Sequence, residues 1–214
     1  MSPDDRLTRR KMRTRQRLLD AAEQVFGEIG FQDATVLDIT EAADVSKRTF
    51  YLHFDDKQSI IEGLALRGFQ QVRQQIEESE EKHNQIDDMR VMFNYVVSQI
   101  FEFCASKPDL MQVVFGEGGS YRLRDMTLQF IARAWLENFE VNCNWNPDAP
   151  VPPELLSQSI AGVILAMMSY WVNNPGEYTS EQMAAMCTSV MFDSMEINYE
   201  KSKDILSVLG KASQ

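Results

Sequence analysis

The stretch TVLDITEAADVSKRTFYLHFDDK, residues 35–57, decides the fold. Thr35 is placed to cap a first short helix, and Asp38, three positions on, completes a capping-box pattern. Ile39, Ala42 and Ala43 give that helix an inward side. Asp44 and Val45 read as a turn. Ser46 caps a second helix, predicted over Lys47–His53, and Phe54 ends it. Asp55 with Gln58 forms a further capping pair that restarts the chain as a long helix. Three caps so close together give short, stiff, angled helices, the geometry of a helix-turn-helix that lays one helix in a DNA major groove.

The second helix carries chemistry to match. Lys47 and Arg48 stand in its first turn, the end that reaches base edges in this motif. An arginine at Arg48 can bond guanine O6 and N7 in a fork, and Lys47 can reach the same atoms or a phosphate. Thr49, Tyr51, His53 and Lys57 bring hydrogen-bond donors suited to phosphate oxygens, which fix register without reading sequence. The candidate DNA contacts are therefore Thr35, Ser46, Lys47, Arg48, Thr49, Tyr51, His53 and Lys57. Val45, Phe50 and Phe54 are the apolar residues that pin the helix to its neighbours.

These residues resemble a known family. Thr35-Val36, Ile39, Ala43, Val45-Ser46, Thr49, Tyr51, His53-Phe54 and Lys57 are similar to the signature of the TetR family of bacterial transcriptional regulators, and the resemblance covers roughly residues 13–62. It implies an all-α, dimeric repressor with a ligand-binding domain behind the DNA-binding one. In such proteins the residues matching Thr49, Tyr51, His53 and Lys57 grip phosphates, and those matching Lys47 and Arg48 lie near bases. Two positions depart from the pattern. Asp44 stands where a turn glycine is usual, and aspartate tolerates the left-handed backbone better than most residues. Leu37 stands where a polar or basic residue is frequent, so no contact is carried over to it.

The charge of the chain is −11 over 214 residues, unexpected for a DNA binder until it is divided. Residues 1–54 hold nine Lys/Arg and nine Asp/Glu, so the whole deficit lies in residues 55–214. Arg6, Arg9, Arg10, Lys11, Arg13, Arg15 and Arg17 form a run without an acid among them, an electrostatic footprint for phosphates. An acidic remainder repels DNA and so orients the approach. The predicted division is a DNA-binding domain over 1–54 with a basic N-terminal arm, and a helical ligand-binding and dimerisation domain over 55–214.

Along the chain, residues 1–8 read as an unstructured arm. A helix follows from about Arg10 to Glu28, with Gly30 as a left-handed stop and Phe31 folding back on it. After Asp55 a connecting helix is predicted over 55–82, apolar at first and polar later, as suits a link between domains. Breaks at 83–86, 116–120 and 142–153 separate further helices, from about Asp87 to Ser106, Pro108 to Phe115 and Tyr121 to Val141. Residues 154–172 form a helix without charge beyond Glu154, long enough for a membrane span to be considered. Ser157, Gln158 and Ser159 and the absence of basic flanks speak against one, and a wholly buried helix is expected instead. The last long helix is predicted from Ser180 to Lys201, before a tail at 203–214. Small residues in these two helices (Ala161, Gly162, Ala166; Ala184, Ala185) suit close packing, either within the core or as a four-helix bundle with a second copy.

The second half offers apolar and aromatic surface for a ligand at Met92, Phe93, Phe101, Phe115, Tyr121, Met126, Phe130, Trp135, Tyr170 and Trp171. Glu102, Glu117, Glu137 and Glu140 nearby could favour a cation, or be a solvated helix surface. Three scattered cysteines and two histidines have neither disulfide nor metal spacing, so no cofactor and no metal is expected. No phosphate-binding loop or nucleophile arrangement points to catalysis. The partners expected are a double-stranded DNA operator, a small-molecule effector and a second copy of the chain, in the cytoplasm. Two other readings fit the residues: a regulator that needs a co-repressor, and a helical ligand-binding or scaffold protein without specific DNA binding.

Overall fold

A computed structural model describes residues 3–80, 88–142 and 151–193, and among these the only regular structure is helix. In chain order the helices are α1 (Pro3–Asp33), α2 (Val36–Ala42), α3 (Lys47–Tyr51), α4 (Lys57–Glu80), α5 (Met89–Ser106), α6 (Pro108–Phe115), α7 (Tyr121–Asn142), α8 (Pro153–Asn173) and α9 (Ser180–Phe192). The break expected at 83–86, residues 143–150 of the loop, the last helix beyond 193, Cys143, Glu140's side chain and the tail lie outside the described residues.

Helices α1 to α3 make the N-terminal unit. Leu18, Ala22, Ile39, Phe50 and Ile60 are fully or almost fully buried there, so α1 and the start of α4 close over the pair α2–α3. Gly30 takes φ 79° and ψ 158° and ends the regular part of α1. Phe31 folds back edge-on to Phe26, ring centres 5.3 Å apart. The unstructured arm is a correction: α1 already begins at Pro3, because nothing between Pro3 and Gly30 breaks a helix and proline is favoured in a first turn.

Two further boundaries differ from expectation. Helix α3 ends at Tyr51, with Leu52 as its C-cap, two residues short of His53. The capping pair of α4 is Asp56 with Ser59, not Asp55 with Gln58. The Ser59 amide donates to the Asp56 carboxylate at 2.7 Å and the Asp56 amide donates to Ser59 Oγ at 3.2 Å. The two candidate pairs differ by one residue, and the register of α4 on the core selects between them.

Behind this unit α4 to α9 form a bundle in which α7 packs most extensively on α8 and α5 on α9. Arg90 grips Asp193 with two bonds of 2.6 and 2.7 Å, tying the start of α5 to the end of α9. The expectation of a wholly buried α8 is corrected. Ser157, Ile160, Ala161, Ile164 and Met168 are buried, but Leu155, Gln158, Ser159, Gly162, Ala166 and Tyr170 are exposed. Their spacing of three to four residues makes one continuous stripe. On α9, Ala185, Ser189 and Val190 are exposed as well. Helix α8 is long and apolar enough to cross a membrane, yet it is seated on α6, α7 and α9.

Candidate DNA interface and effector cavity

The caps and the turn of residues 35–49 build as the sequence implies. Thr35 Oγ1 accepts from the Asp38 amide, and the Asp38 carboxylate accepts from the Thr35 amide at 2.8 Å and its hydroxyl at 2.6 Å. These bonds hold the Asp38 carboxyl below its ordinary pKa of 3.8. The capping box is thus complete above that value and is lost as pH falls through the lower folded-state pKa. Asp44 adopts φ 49°, the left-handed conformation that the turn demands. Arg17 supports this turn, donating to the Ala43 carbonyl at 2.6 Å, so one member of the basic run is a C-terminal cap for α2. Arg15 lies 4.6 Å over the Phe54 ring.

Ser46 caps α3 by accepting from the Thr49 amide at 3.1 Å, and the two hydroxyls share a bond of 2.9 Å. Lys47, Arg48 and Tyr51 are exposed, with Tyr51 56% accessible, while Phe50 beneath them is fully buried. One face of a single-turn helix is anchored, and the opposite face presents cations and a phenol to solvent. Thr35 and Ser46, the caps of α2 and α3, are exposed as well.

His53 and Lys57 are placed differently. His53 is half-buried, and its Nδ1 is buried without a hydrogen-bond partner. Burial, and then the nearby charges of Lys11 and Arg15, push its pKa below 6.5. The ring is therefore neutral at pH 7 in the free protein. Below pH 6.5 the unfolded chain binds the proton first, so acidification down through the folded pKa removes stability. In an NMR titration the His53 ring signals are expected to move with a midpoint below 6.5, and to shift upward when phosphates of bound DNA face the ring. A midpoint above 6.5 in the free protein would contradict this placement.

Lys57 faces inward to the end of α1. Its ammonium donates to the carbonyls of Phe31, Gln32 and Ala34 at 2.5, 3.0 and 2.8 Å and lies 4.4 Å over the Phe31 ring. These three bonds use all three of its donors. Lys57→Met is expected to lower the unfolding free energy by about 2 kcal/mol, since charge-assisted bonds to partly buried carbonyls are lost. Urea denaturation followed by circular dichroism reads this. An unchanged midpoint with weakened DNA binding would instead assign Lys57 to phosphate.

In the bundle a cavity of about 280 Å³ opens between α4, α5, α6, α7 and α8. Of the ten expected ligand contacts, Met92, Phe115, Phe130 and Trp135 line it. The other six lie elsewhere. Phe93 is buried against Trp135 and Phe192, and Phe101 is buried against Trp171. Tyr121 is 84% exposed, and Met126 packs on the outside of the core. Tyr170 donates to Glu177, and Trp171 donates its indole proton to the Tyr178 carbonyl at 2.7 Å. An apolar residue type does not say which side of its helix meets the void, and that distinction needs the packing.

The sequence reading missed the α4 wall. Phe69, Val72, Arg73, Ile76 and Glu77 line the cavity although this part of α4 looks like a polar connector. The thin stripe Val72–Ile76 was the available signal. Phe69 stacks on Phe130, centres 4.5 Å apart and planes within 11°. Thr127 gives its hydroxyl to the Leu123 carbonyl, so it offers the cavity little polarity. The Cys104 thiol also lines it, and burial pushes its pKa up to about 12, so it is no nucleophile at neutral pH. Among the described residues, Arg73, Glu77 and Glu137 are the charged lining groups. Arg73 meets Glu77 at 2.7 Å and Glu137 at 3.6 Å, and Arg133 holds Glu137 from outside at 2.9 Å.

Cavity and DNA unit adjoin through α4. Phe103, which lines the cavity, lies against Gly68: a Cβ there would stand 2.5 Å from the ring's Cζ. At the preceding residue of α4, Arg67 pairs with Asp20 and Glu23 of α1, and Lys107 before α6 also pairs with Glu23. Acid and base from α1, α4 and the link between α5 and α6 meet at this one junction.

Comparison with known proteins agrees with this architecture. The profile described as bacterial regulatory proteins, tetR family, matches residues 18–64. The HTH-type transcriptional repressor KstR2 of Rhodococcus jostii is 44% identical over 55 residues, 26% of this chain. That match spans 26% of the relative's own length. A regulator assigned to the TetR family from Syntrophomonas wolfei shares the fold with a TM-score of 0.64 at 22% identity, over 88% of this chain and 97% of that one. Thermus thermophilus FadR, a TetR-family repressor crystallised with lauroyl-CoA, superposes with a TM-score of 0.63 at 19% identity, over 86% and 96% of the two chains. The signature residues in the capped helix-turn-helix thus fall in the segment that matches the tetR family of bacterial regulatory proteins, and with the helical bundle behind it the chain shares the fold of these solved regulators.

Proposed function

We propose that the protein is a homodimeric, cytoplasmic transcriptional repressor released from its operator by a small apolar or amphipathic effector. The observation that carries this reading is α4. Its first turns, with Ile60 and Ile61 fully buried, belong to the same core as Phe50 and Phe54, and its later turns wall the cavity. A single helix thus packs on the proposed DNA-facing unit over 1–54 and walls the cavity of the proposed effector and dimerisation body over 55–214. An effector that prefers a different tilt of α4 would alter the placement of α3, and must bind that state more tightly to shift the population. The lauroyl-CoA held by the Thermus relative supports a ligand with a long apolar part. The exposed stripe on α8 and its neighbours on α9 support pairing with a second copy. Two recognition helices would then enter successive major grooves, about 34–36 Å apart on a pseudo-palindrome.

Within each half-site Lys47 and Arg48 read bases, and Thr35, Ser46, Thr49, Tyr51 and His53 hold the backbone. Lys57 stabilises the unit from within and remains a phosphate contact only if DNA draws it away from α1. Arg48→Ala is expected to cost about 1–3 kcal/mol on the operator and to relax one base position. Tyr51→Phe should weaken all sequences alike. Fluorescence anisotropy on duplexes from the chain's own upstream region measures both. If neither change alters binding, the DNA reading falls and the helical ligand-binding or scaffold reading takes its place. An effector that tightens the operator complex instead of releasing it would make the protein a co-repressor-dependent regulator.

A further inference from the structure

The cavity has a direction. Its α4 wall runs from Ala65 to Glu77, about 18 Å at 1.5 Å per residue. The charged lining groups, Arg73, Glu77 and Glu137, come from the last turns of that wall and the facing part of α7. Toward the other end, Ala65, Phe115 and Met168 are apolar. An elongated void with polarity at one end takes a molecule with a long apolar body and one polar head.

The sign of the head follows from the charges it would meet. Arg73 is engaged by both glutamates, and two carboxylates against one guanidinium leave the lining with a net negative charge. Arg133 balances Glu137 only from the solvent side, where its side chain is 82% exposed. An anionic head would have to strip Arg73 from its partners and lie beside two carboxylates. A cationic head meets those carboxylates, and Trp135, two residues before Glu137 on the same helix, adds an aromatic ring to the lining, a group that attracts cations. At longer range residues 55–214 carry the entire net charge of −11, which draws cations in and keeps polyanions out. We infer that the effector is an elongated hydrophobic monocation, its charged head seated between Glu77 and Glu137 and its apolar body along α4 toward Phe115 and Met168.

This inference rests on the reading of the cavity as an effector site, and the test separates the two. The full-length protein is titrated by calorimetry with decyltrimethylammonium, decanoate and 1-decanol, each below its micelle or solubility limit. Equal chains cancel the apolar contribution, so differences report the head. The ammonium is expected to bind about tenfold more tightly than decanol, and decanoate more weakly than both. Glu77→Gln and Glu137→Gln should each weaken the ammonium several-fold and leave decanol unchanged. The double variant, which frees Arg73, should reverse the preference toward decanoate. Both glutamates are at least 40% exposed at the rim, so the variants are expected to fold. Tighter binding of decanoate, equal binding of all three, or no binding of the ammonium overturns the inference. Ammonium binding that leaves the operator complex intact upholds the ligand class and overturns the repressor reading instead.

Discussion

Ala166→Arg is expected to give a folded monomer whose affinity for a two-half-site operator falls by about two to four orders of magnitude. Ala166 is exposed in the middle of the α8 stripe, and one turn before it Gly162 has nothing within 4 Å of where a Cβ would stand. Within one protomer an arginine here meets only solvent, so the fold should change by no more than about 0.5 kcal/mol. In a close helix–helix contact the same guanidinium is buried without a partner, at a cost of several kcal/mol. Each protomer carries one α3, so losing the pair removes the advantage of binding two half-sites at once. Sedimentation velocity reports the mass and anisotropy the affinity. A variant that sediments as a dimer would place the interface elsewhere.

Phe50→Ala is expected to destabilise the N-terminal unit by about 3–5 kcal/mol. The ring is fully buried, edge-on to Tyr51 at 5.4 Å and tilted against Phe54 at 5.7 Å. Loss of that much is a large share of the roughly 5–15 kcal/mol that holds a domain folded. DNA binding should vanish even though Phe50 itself faces away from the groove. Phe93, Phe101 and Ile164 are buried in α5 and α8, far along the chain from Phe50, so ligand binding in the cavity should survive. Urea melts monitored by circular dichroism would show an early transition absent from the wild type. A single unshifted transition would mean that Phe50 is not central to the unit.

The helix-turn-helix is readable in the sequence because local chemistry dictates it. Thr35 and Ser46 cap, Asp44 turns, and the apolar spacing of Ile39 and Phe50 fixes which faces go in. None of these choices depends on a distant residue. The ends of α3 and α4 shifted by one or two residues because Asp55 and Asp56 are equivalent as caps until the core sets the register. Lys57 illustrates the harder case. Its three carbonyl partners lie 23 to 26 residues upstream, and their convergence is a tertiary fact. The cavity is harder still. Composition points to aromatic side chains in α5 to α8, yet Phe93 and Phe101 fill core while Phe69 and Phe103, from a helix and a face not singled out, surround the void. The stripe on α8 shows the converse. Its small and apolar residues were visible, but which of them stay exposed depends on where α6, α7 and α9 come to rest.

The contact between Gly68 and Phe103 binds two positions into one mutational unit. Any side chain at 68 has to displace the ring, and the ring borders the cavity, so a change in the connecting helix would be felt as a change in ligand preference. The converse also holds, since trimming position 103 would make room for alanine at 68 and stiffen α4 by the propensity that glycine lacks. Gly68→Ala and Phe103→Leu should therefore each be harmful alone and mutually compensating together. In this protein, evolving a new effector would be achieved by altering the helix that reports it.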